Sequence, residues 1–525
     1  MLYHEQAFFQ AAKWSVILSL TSSKTPDAQR KRLIPVTLLM ILYFILSIHD
    51  LLRFPPFIDE SWHIGFAQDV LSGHIFAGAT HGKFLAPIWM ALFIPMGISQ
   101  LFLARAATVL FSMIGLAFVY GLTANLVNRR AALLAMLLYA LSPYLLFYDR
   151  MALIDTYLMV FSVLVVWAAA RLRQRVTLHD AILCGLALVG ALAAKGTGVV
   201  LLAIPTLTLI FTFHRSSWPV RWLAVCYGTF AVIWTPLYLI LRWRGINYFG
   251  LAESLSGTTS STDFWQRLLG NTIQVGQIDI SYFSLIAIAL TTVVILCWLL
   301  KDFRNALYLL SCIAIPTLGI ILLSPEMRPR YIVYHVPLLI IAVVAGMDAL
   351  RQLAVRYWPA TGVRVALSVA VLAWMWLVFV PFYQTLLLSP AELPLPSMDR
   401  GEYITDDSAG FALPEVADFF RNENTALGKP LHVVGLLANC GGLQLVMLSA
   451  HNVIVDCPTI NYNGSEQAHL AATVNQLPQE SPSYVVLENL PYVSTEGITA
   501  PMKFVTSFER PGGVTHLNIY RIGKQ

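Results

Sequence analysis

The chain has 525 residues, 57% of them hydrophobic and 12% charged, with a mean hydropathy of +0.67 and a formal net charge of +5. A soluble domain carries about 25% charged residues, so composition excludes an ordinary water-soluble protein. The basic residues sit in short scattered clusters, which excludes a nucleic-acid-binding face. The apolar stretches have the length of about 18–24 residues that crosses a bilayer, and their backbone groups must pair internally as helices. A membrane β-barrel would alternate over about ten residues, and no such alternation is visible.

In chain order, a basic tail (1–32, with Lys24, Arg30, Lys31 and Arg32) precedes the first apolar segment and lacks a small-residue cleavage site, so it reads as a cytoplasmic tail and not a signal peptide. Eleven spans are expected at about 33–50, 105–125, 131–147, 156–171, 179–194, 197–213, 219–241, 280–300, 304–323, 331–350 and 364–387. The clusters Arg129/Arg130, Arg171/Arg173/Arg175, Arg215/Arg221, Lys301/Arg304 and Arg351/Arg356/Arg364 then all fall on the side of the tail, as the positive-inside rule requires. The odd number of spans puts the C-terminus on the other, extracytoplasmic side. This arrangement needs the apolar piece from Phe84 to Ile98, broken by Pro87 and Pro95, to lie in the interface or re-enter instead of crossing.

Past the proline-rich Leu388–Met398 the composition becomes that of a soluble domain. Strand-like runs at Leu431–Gly435, Val453–Val455, Tyr484–Leu487 and His516–Tyr520 alternate with helix-like Leu413–Asn422 and Leu443–Ala450. The expected architecture is a polytopic α-helical membrane protein of about eleven transmembrane helices (33–388, with a large external loop 51–104), followed by a small extracytoplasmic C-terminal α/β domain over 389–525. Cys440 and Cys457 in that tail either form a disulfide or stay free, whereas Cys184, Cys226, Cys297 and Cys312 lie in apolar segments as inert core residues.

The external loops carry mixed charges next to membrane ends, where ionisable groups are expensive and mark function. Asp59-Glu60 sits in an aromatic, apolar stretch; one carboxylate there could take a proton from a hydroxyl, or the pair could hold a divalent metal. Equally, the pair could simply be exposed and mark the loop as external. Asp155 falls in the first turn of a helix, where it is a helix cap, the ion-pair partner of Arg150, or an acidic member of a site. Lys83, Arg150, Lys195, Arg328 and Arg330 are cations on the side that the positive-inside rule disfavours, in a tight turn at Lys195 and beside Glu326 at Arg328 and Arg330. They could bind a phosphate, arginine bidentately, or snorkel to lipid headgroups. His63 and His81 have no partner at a metal-ligand spacing and read as loop histidines.

The order of these features resembles a known group. Asp-Glu follows the first span, Arg-x-x-Leu-x-Asp (Arg150–Asp155) follows the third, Ala-Lys-Gly-Thr-Gly (Ala194–Gly198) the fifth, and Pro-Arg-Tyr-x-x-Tyr-x-x-Pro (Pro329–Pro337) opens the tenth. Over residues 33–345 this is similar to the protein O-mannosyltransferase and aminoarabinose-transferase families of the GT-C superfamily. The resemblance implies a glycosyltransferase that takes a sugar from an undecaprenyl or dolichyl phosphate and passes it to a hydroxyl of a protein, lipid or glycan acceptor outside the cytoplasm. It implies Asp59 as base, Glu60 as its support, Asp155 as a second acid, and Lys195 and Arg330 as phosphate contacts. At Lys83 the family's following proline pair is missing, since Pro87 comes late. A single displacement needs one base and inverts the anomeric carbon, whereas retention needs a carboxylate nucleophile on the opposite face. A divalent metal is compatible with the acidic pair, and no other cofactor is called for. The rival reading is a transporter or flippase of lipid-linked sugars, which would show repeat symmetry and ionisable groups mid-membrane. A polysaccharide polymerase or ligase would use the same lipid-phosphate chemistry.

The topology has a direct consequence. Cysteines introduced at position 59 and in the C-terminal tail should both react with an impermeant thiol reagent on intact cells; protection of either one breaks the eleven-span arrangement.

Overall fold

The computed structural model describes residues 26–94, 99–212, 219–249, 261–325, 327–448, 452–458, 467–477, 482–490 and 495–523. Lys24, Pro95, Ile98, Arg215 and Glu326 lie outside them. Among the described residues six helices are long and apolar enough to cross a membrane: Gln100–Leu126, Asp155–Arg175, Val220–Trp243, Phe303–Leu323, Pro329–Ala354 and Ala360–Leu388. Two bent pairs, Arg129–Ala140 with Pro143–Asp149 (62°) and Phe264–Phe283 with Leu285–Lys301 (99°), bring the number to eight if each pair is one span. The chain is a multi-pass membrane protein. Each of the eleven expected segments falls on helix, but the number long enough to cross is six to eight. Leu178–Ala194, for example, has 17 residues, about 25 Å of helix against a hydrocarbon core of about 30 Å.

Local chemistry sets the ends of these helices. Asn128 Oδ1 accepts from Ala131 N–H and Thr177 Oγ1 from Asp180 N–H, each satisfying a donor left open in the first turn. Pro143 starts the second half of its bent pair and cannot continue the first, because it has no amide hydrogen. Among its described residues the piece from Phe84 forms the seven-residue α-helix Leu85–Ala91, too short to cross. A helix the hydropathy pattern does not show is Ser261–Phe283, whose Gln266, Arg267, Asn271, Gln274, Gln277 and Asp279 interrupt its apolar residues. Asn271 ties it to the bundle by donating to the carbonyls of Ile321 and Ser324.

The helix Asp155–Arg175 is the axis of the bundle, with 89% of its apolar window buried. Its N-terminal Asp155 therefore starts from a fixed point.

Among its described residues the C-terminal region holds five strands: β1 (Leu431–Leu436), β2 (Val453–Asp456), β3 (Ser483–Glu488), β4 (Met502–Glu509) and β5 (His516–Ile522). They form one sheet in the order β2-β1-β3-β5-β4, parallel among β1, β2 and β3 and antiparallel where β5 joins β3 and β4. The helix Leu413–Leu427 buries Leu413, Val416, Ala417 and Phe420 against β1 and β3 residues such as Val433 and Tyr484. Cys440 and Cys457 are joined in a disulfide. Strand β4, with its exposed Phe504 and Val505, lies on the sheet edge and has no clear counterpart in the sequence reading.

This region rests on the loop that carries the acidic pair. Ile58 N–H donates to Ser408 O, and Asn439 Nδ2 donates to the carbonyls of Pro56 and Ser408. Gly410 lies so close to Pro56 that a Cβ would overlap its carbonyl oxygen. The loop is fixed from below by Arg105, buried in the helix Gln100–Leu126. Its guanidinium donates to the carbonyls of Leu51 (2.5 Å), Phe54 (2.7 Å) and Pro55 (3.1 Å) and to both Glu60 oxygens (2.7 and 2.6 Å).

Removing one member of a buried ion pair costs about 3–5 kcal/mol, because the other is left charged and unpaired. Arg105→Ala is therefore expected to lower the thermal midpoint of the purified protein sharply. Arg105→Lys should recover only part, since an ammonium cannot serve the same fork of acceptors. Unchanged melting in Arg105→Ala would remove the pair from the stability of this loop.

Candidate functional site

Four loops and one linker converge above the bundle. Asp59 stands in the first turn of the helix Ile58–Leu71, half-buried, and its Oδ2 receives Arg330 Nη1 at 2.6 Å. The other end of the same guanidinium meets Glu402 Oε1 at 3.0 Å, and Arg328 reaches Glu402 Oε2 at 3.3 Å. Asp155 Oδ1 accepts from Lys195 Nζ at 2.6 Å, and that ammonium also lies 4.5 Å from the centre of the Tyr331 ring. Lys83 Nζ lies 3.5 Å from His63 Nε2, and the other ring nitrogen of His63 is 2.8 Å from Ala152 O.

The backbone explains why two lysines so far apart in sequence meet. Gly196 N–H donates to Gly82 O and Phe84 N–H to Ala193 O, stitching the residues beside Lys83 to those beside Lys195. Tyr248 OH closes the seam, its one hydrogen shared between the carbonyls of Leu192 (2.5 Å) and Gly82 (2.9 Å). Gly82 has φ +68°, a left-handed value that favours glycine, and Gly198 lies so close to Ala191 that a Cβ would overlap its carbonyl. The second glycine of Ala-Lys-Gly-Thr-Gly, Gly198, thus serves a close backbone approach.

Electrostatics at Asp59 follow from this crowding. Burial would raise its carboxyl, but Arg330, Lys83, His63 and Lys195 outweigh burial and hold it well below the usual carboxylate range. Burial and the neighbouring Lys83 push His63 down to about 4, so at neutral pH it is an uncharged imidazole. Burial also lowers Lys83, with Asp59 pulling the other way. Among the described residues Lys83 is the cation of this group without a carboxylate partner.

The profile of the dolichyl-phosphate-mannose-protein mannosyltransferase family matches residues 81–240. In shape the chain is similar to ArnT from Cupriavidus metallidurans bound to undecaprenyl phosphate, at 14% identity over 93% of this chain and 97% of that one, with a TM-score of 0.57. The chain therefore shares its overall fold with ArnT. ArnT in the apo state gives 15% identity, 94% and 98% coverage and the same TM-score of 0.57. The archaeal oligosaccharyltransferase AglB from Archaeoglobus fulgidus gives 13% identity, 88% and 70% coverage and 0.47. No curated protein matches the chain at a significant level. The matched stretch contains Lys83, Arg150, Asp155 and Lys195 but neither Asp59 nor Arg330, so only the geometry joins these two to the rest of the cluster.

Of the residues singled out in the sequence, Asp59, Lys83, Asp155, Lys195, Arg328 and Arg330 come together. Glu60 and Arg150 do not. Glu60 is fully buried with both oxygens taken by Arg105 and by the amides of Phe57 (2.9 Å) and Ala152 (2.7 Å). It has no lone pair left for a metal, and the Asp59–Glu60 pair does not fit one. Among the described residues no group of three or more His, Cys, Asp or Glu could hold a metal ion. Arg150 donates to the carbonyls of Leu46, Ser47 and Asp50 at the end of the first helix, where open carbonyls concentrate, and so holds a helix terminus instead of a phosphate.

Sequence reasoning missed Glu402, Asp399 and the role of His63. The first two follow the last apolar helix in Ser397–Tyr403, a stretch whose composition reads as the start of the soluble region. The available signal was two acids three residues apart, Asp399 and Glu402, in the linker that follows the last apolar helix. Asp399 Oδ2 accepts from Tyr148 OH (2.7 Å) and from Tyr282 OH. Tyr282 stacks on Tyr144 at 3.9 Å, and Tyr144 OH donates to Pro329 O at 2.5 Å, next to Arg330.

Burial pushes the Asp399 carboxyl up to about 7, only partly offset by the two phenol donors. The folded protein keeps this proton in a pH range where the unfolded chain has lost it. Asp399 therefore lowers stability progressively as pH rises from about 4 to about 7. Asp399→Asn should raise the thermal midpoint at pH 8 and change it little at pH 4. An equal shift at both values would trace the effect to packing and not to ionisation.

Proposed function

We propose that the chain transfers a sugar from a polyprenyl-phosphate donor (undecaprenyl or dolichyl phosphate) to a hydroxyl of a protein, lipid or glycan acceptor at the extracytoplasmic membrane face, with inversion. The observation that carries this reading is the convergence of one half-buried carboxylate, Asp59, with Lys83, Lys195 and Arg330. The likeness to ArnT, which was solved with undecaprenyl phosphate, supports the choice of donor class. In this reading the eight longer or bent spans and the three shorter apolar helices, which cross where the bilayer thins to match them, make up eleven crossings. Residues 1–32 form the cytoplasmic tail, 33–388 the membrane domain and 389–525 the outer α/β domain, which lends Glu402 to the site.

The chemistry is a single displacement. The acceptor oxygen bonds to the anomeric carbon, the bond from that carbon to the phosphate oxygen breaks, and the hydroxyl proton passes to Asp59. The leaving polyprenyl phosphate gains a negative charge, which Lys83, Lys195 and Arg330 are placed to stabilise without reorganising. Tied to Arg330, Asp59 is a weak base. A donor phosphate competes with Asp59 and Glu402 for the same guanidinium, so its arrival loosens the pair and restores basicity, which favours donor binding before acceptor attack. Asp155 holds Lys195 in place through their 2.6 Å contact. No step passes through a metal.

Asp59→Asn should lower transfer by about 10²–10⁴-fold, the usual contribution of a general base, with donor binding nearly unchanged. Arg330→Ala and Lys195→Ala should instead weaken donor binding by roughly ten- to a hundredfold, since each removes a charge-assisted bond worth about 1.5–3 kcal/mol. The assay is release of polyprenyl phosphate from purified protein given a panel of polyprenyl-phosphate sugars. Parental turnover in Asp59→Asn at saturating substrates would pass the base role to Asp155. Transbilayer movement of intact donor, with its glycosidic bond never broken, would establish the flippase reading.

A further inference from the structure

At the end of the bundle away from Asp59 lies a cavity of about 910 Å³ bounded by Arg129–Ala140, Val336–Ala354 and Ala360–Trp374. Helix direction fixes its place. Arg129 begins the bent pair that ends at Asp149 beside the site, and Arg351 lies in the last turn of the helix that follows Arg330. The cavity and the Asp59 cluster therefore face opposite membrane surfaces.

Four arginines, Arg129, Arg130, Arg351 and Arg364, line its mouth against a single carboxylate, Asp348. That carboxylate is already committed to Arg351 (2.9 Å), Asn128 Nδ2 (3.1 Å) and Gln352 Nε2 (2.7 Å). Among the described residues Arg129, Arg130 and Arg364 have no ion-pair partner. Below the arginines the wall is aliphatic from all three helices. On its outer side the helix Ala360–Leu388 is little buried, with Val365, Val369 and Leu372 exposed. A groove with a basic rim and an apolar floor, at a membrane surface and bordered by a lipid-facing helix, matches one chemistry: a phosphate headgroup carried on acyl chains.

We propose that this groove binds an anionic phospholipid of the leaflet opposite the Asp59 site, its phosphate held by Arg129, Arg130 and Arg364 and its acyl chains laid along the aliphatic wall. The bound lipid would fill the weakly packed seam between the helix Ala360–Leu388 and the rest of the bundle. The assignment does not depend on the glycosyltransferase reading.

The test is lipid retention by the purified full chain in detergent, read by native mass spectrometry with dioleoyl phosphatidylglycerol and dioleoyl phosphatidylcholine as probes. The parent should retain phosphatidylglycerol preferentially. With about 1 kcal/mol for each basic residue near such a headgroup, Arg129→Gln with Arg364→Gln should weaken retention roughly thirtyfold. Arg129→Lys with Arg364→Lys should keep most of it, and Arg330→Ala, at the other face, should leave it unchanged. Equal retention of the two lipids by the parent overturns the proposal, and that comparison needs no variant to fold. So does a double glutamine variant that keeps its preference, which would leave these arginines as markers of topology. Displacement of phosphatidylglycerol by undecaprenyl phosphate, or by inorganic phosphate at millimolar concentration, would overturn it by assigning the groove to another anion.

Discussion

A guanidinium buried among membrane helices must find acceptors for its five donor hydrogens or leave them unpaired at high cost. Arg105 finds its acceptors in the loop that follows the first helix, closing on the carbonyls of Leu51, Phe54 and Pro55 and on Glu60. This knot sets the height and direction of the next helix, so that Asp59, the residue before Glu60, is presented to the other loops. Glu60 extends the constraint by accepting from Ala152 N–H, and Ala152 O holds His63. Arg150, two residues earlier, grips the end of the first helix. Two of the most conspicuous charges in the sequence are therefore scaffolding, and their work is to place a third.

The site built on this scaffold alternates cation and carboxylate. Arg330 is shared between Asp59 and Glu402, Lys195 pairs with Asp155, and Lys83 stands beside an imidazole that burial keeps neutral. Such a set is stable without a ligand, since each carboxylate compensates a cation. It also exchanges partners readily, because a phosphate offers the same cations a similar bond. Glu402 comes from the linker below the α/β region, whose Asn439 and Gly410 pack on the Asp59 loop. The region after the last membrane helix is thus part of the site's wall and not an appendage.

Much of the helical frame was legible because hydrocarbon admits few backbone solutions: a long apolar run must be a helix, and basic clusters mark alternate loops. The strands β1, β2, β3 and β5 were legible from short runs of β-branched and aromatic residues, while the edge strand β4, with Lys503, Thr506 and Ser507 among its apolar residues, was not. The helix Ser261–Phe283 escaped because its Gln, Arg, Asn and Asp residues interrupt the apolar run, and the hydropathy window averages them with the rest.

By itself the sequence determined that this is a membrane-embedded helical chain with charged loops at one face, and it named most of the ionisable residues that meet there. Hydropathy and charge are local quantities, and the bilayer acts on them directly. Tertiary structure decided which charges are spent on the scaffold and which remain for chemistry. Asp59 and Glu60 are adjacent in sequence, yet one joins Arg330 from 271 residues away and the other Arg105 from 45. The side chains of neighbouring residues in a helix point about 100° apart, so what each meets depends on elements that the rest of the chain brings to either side.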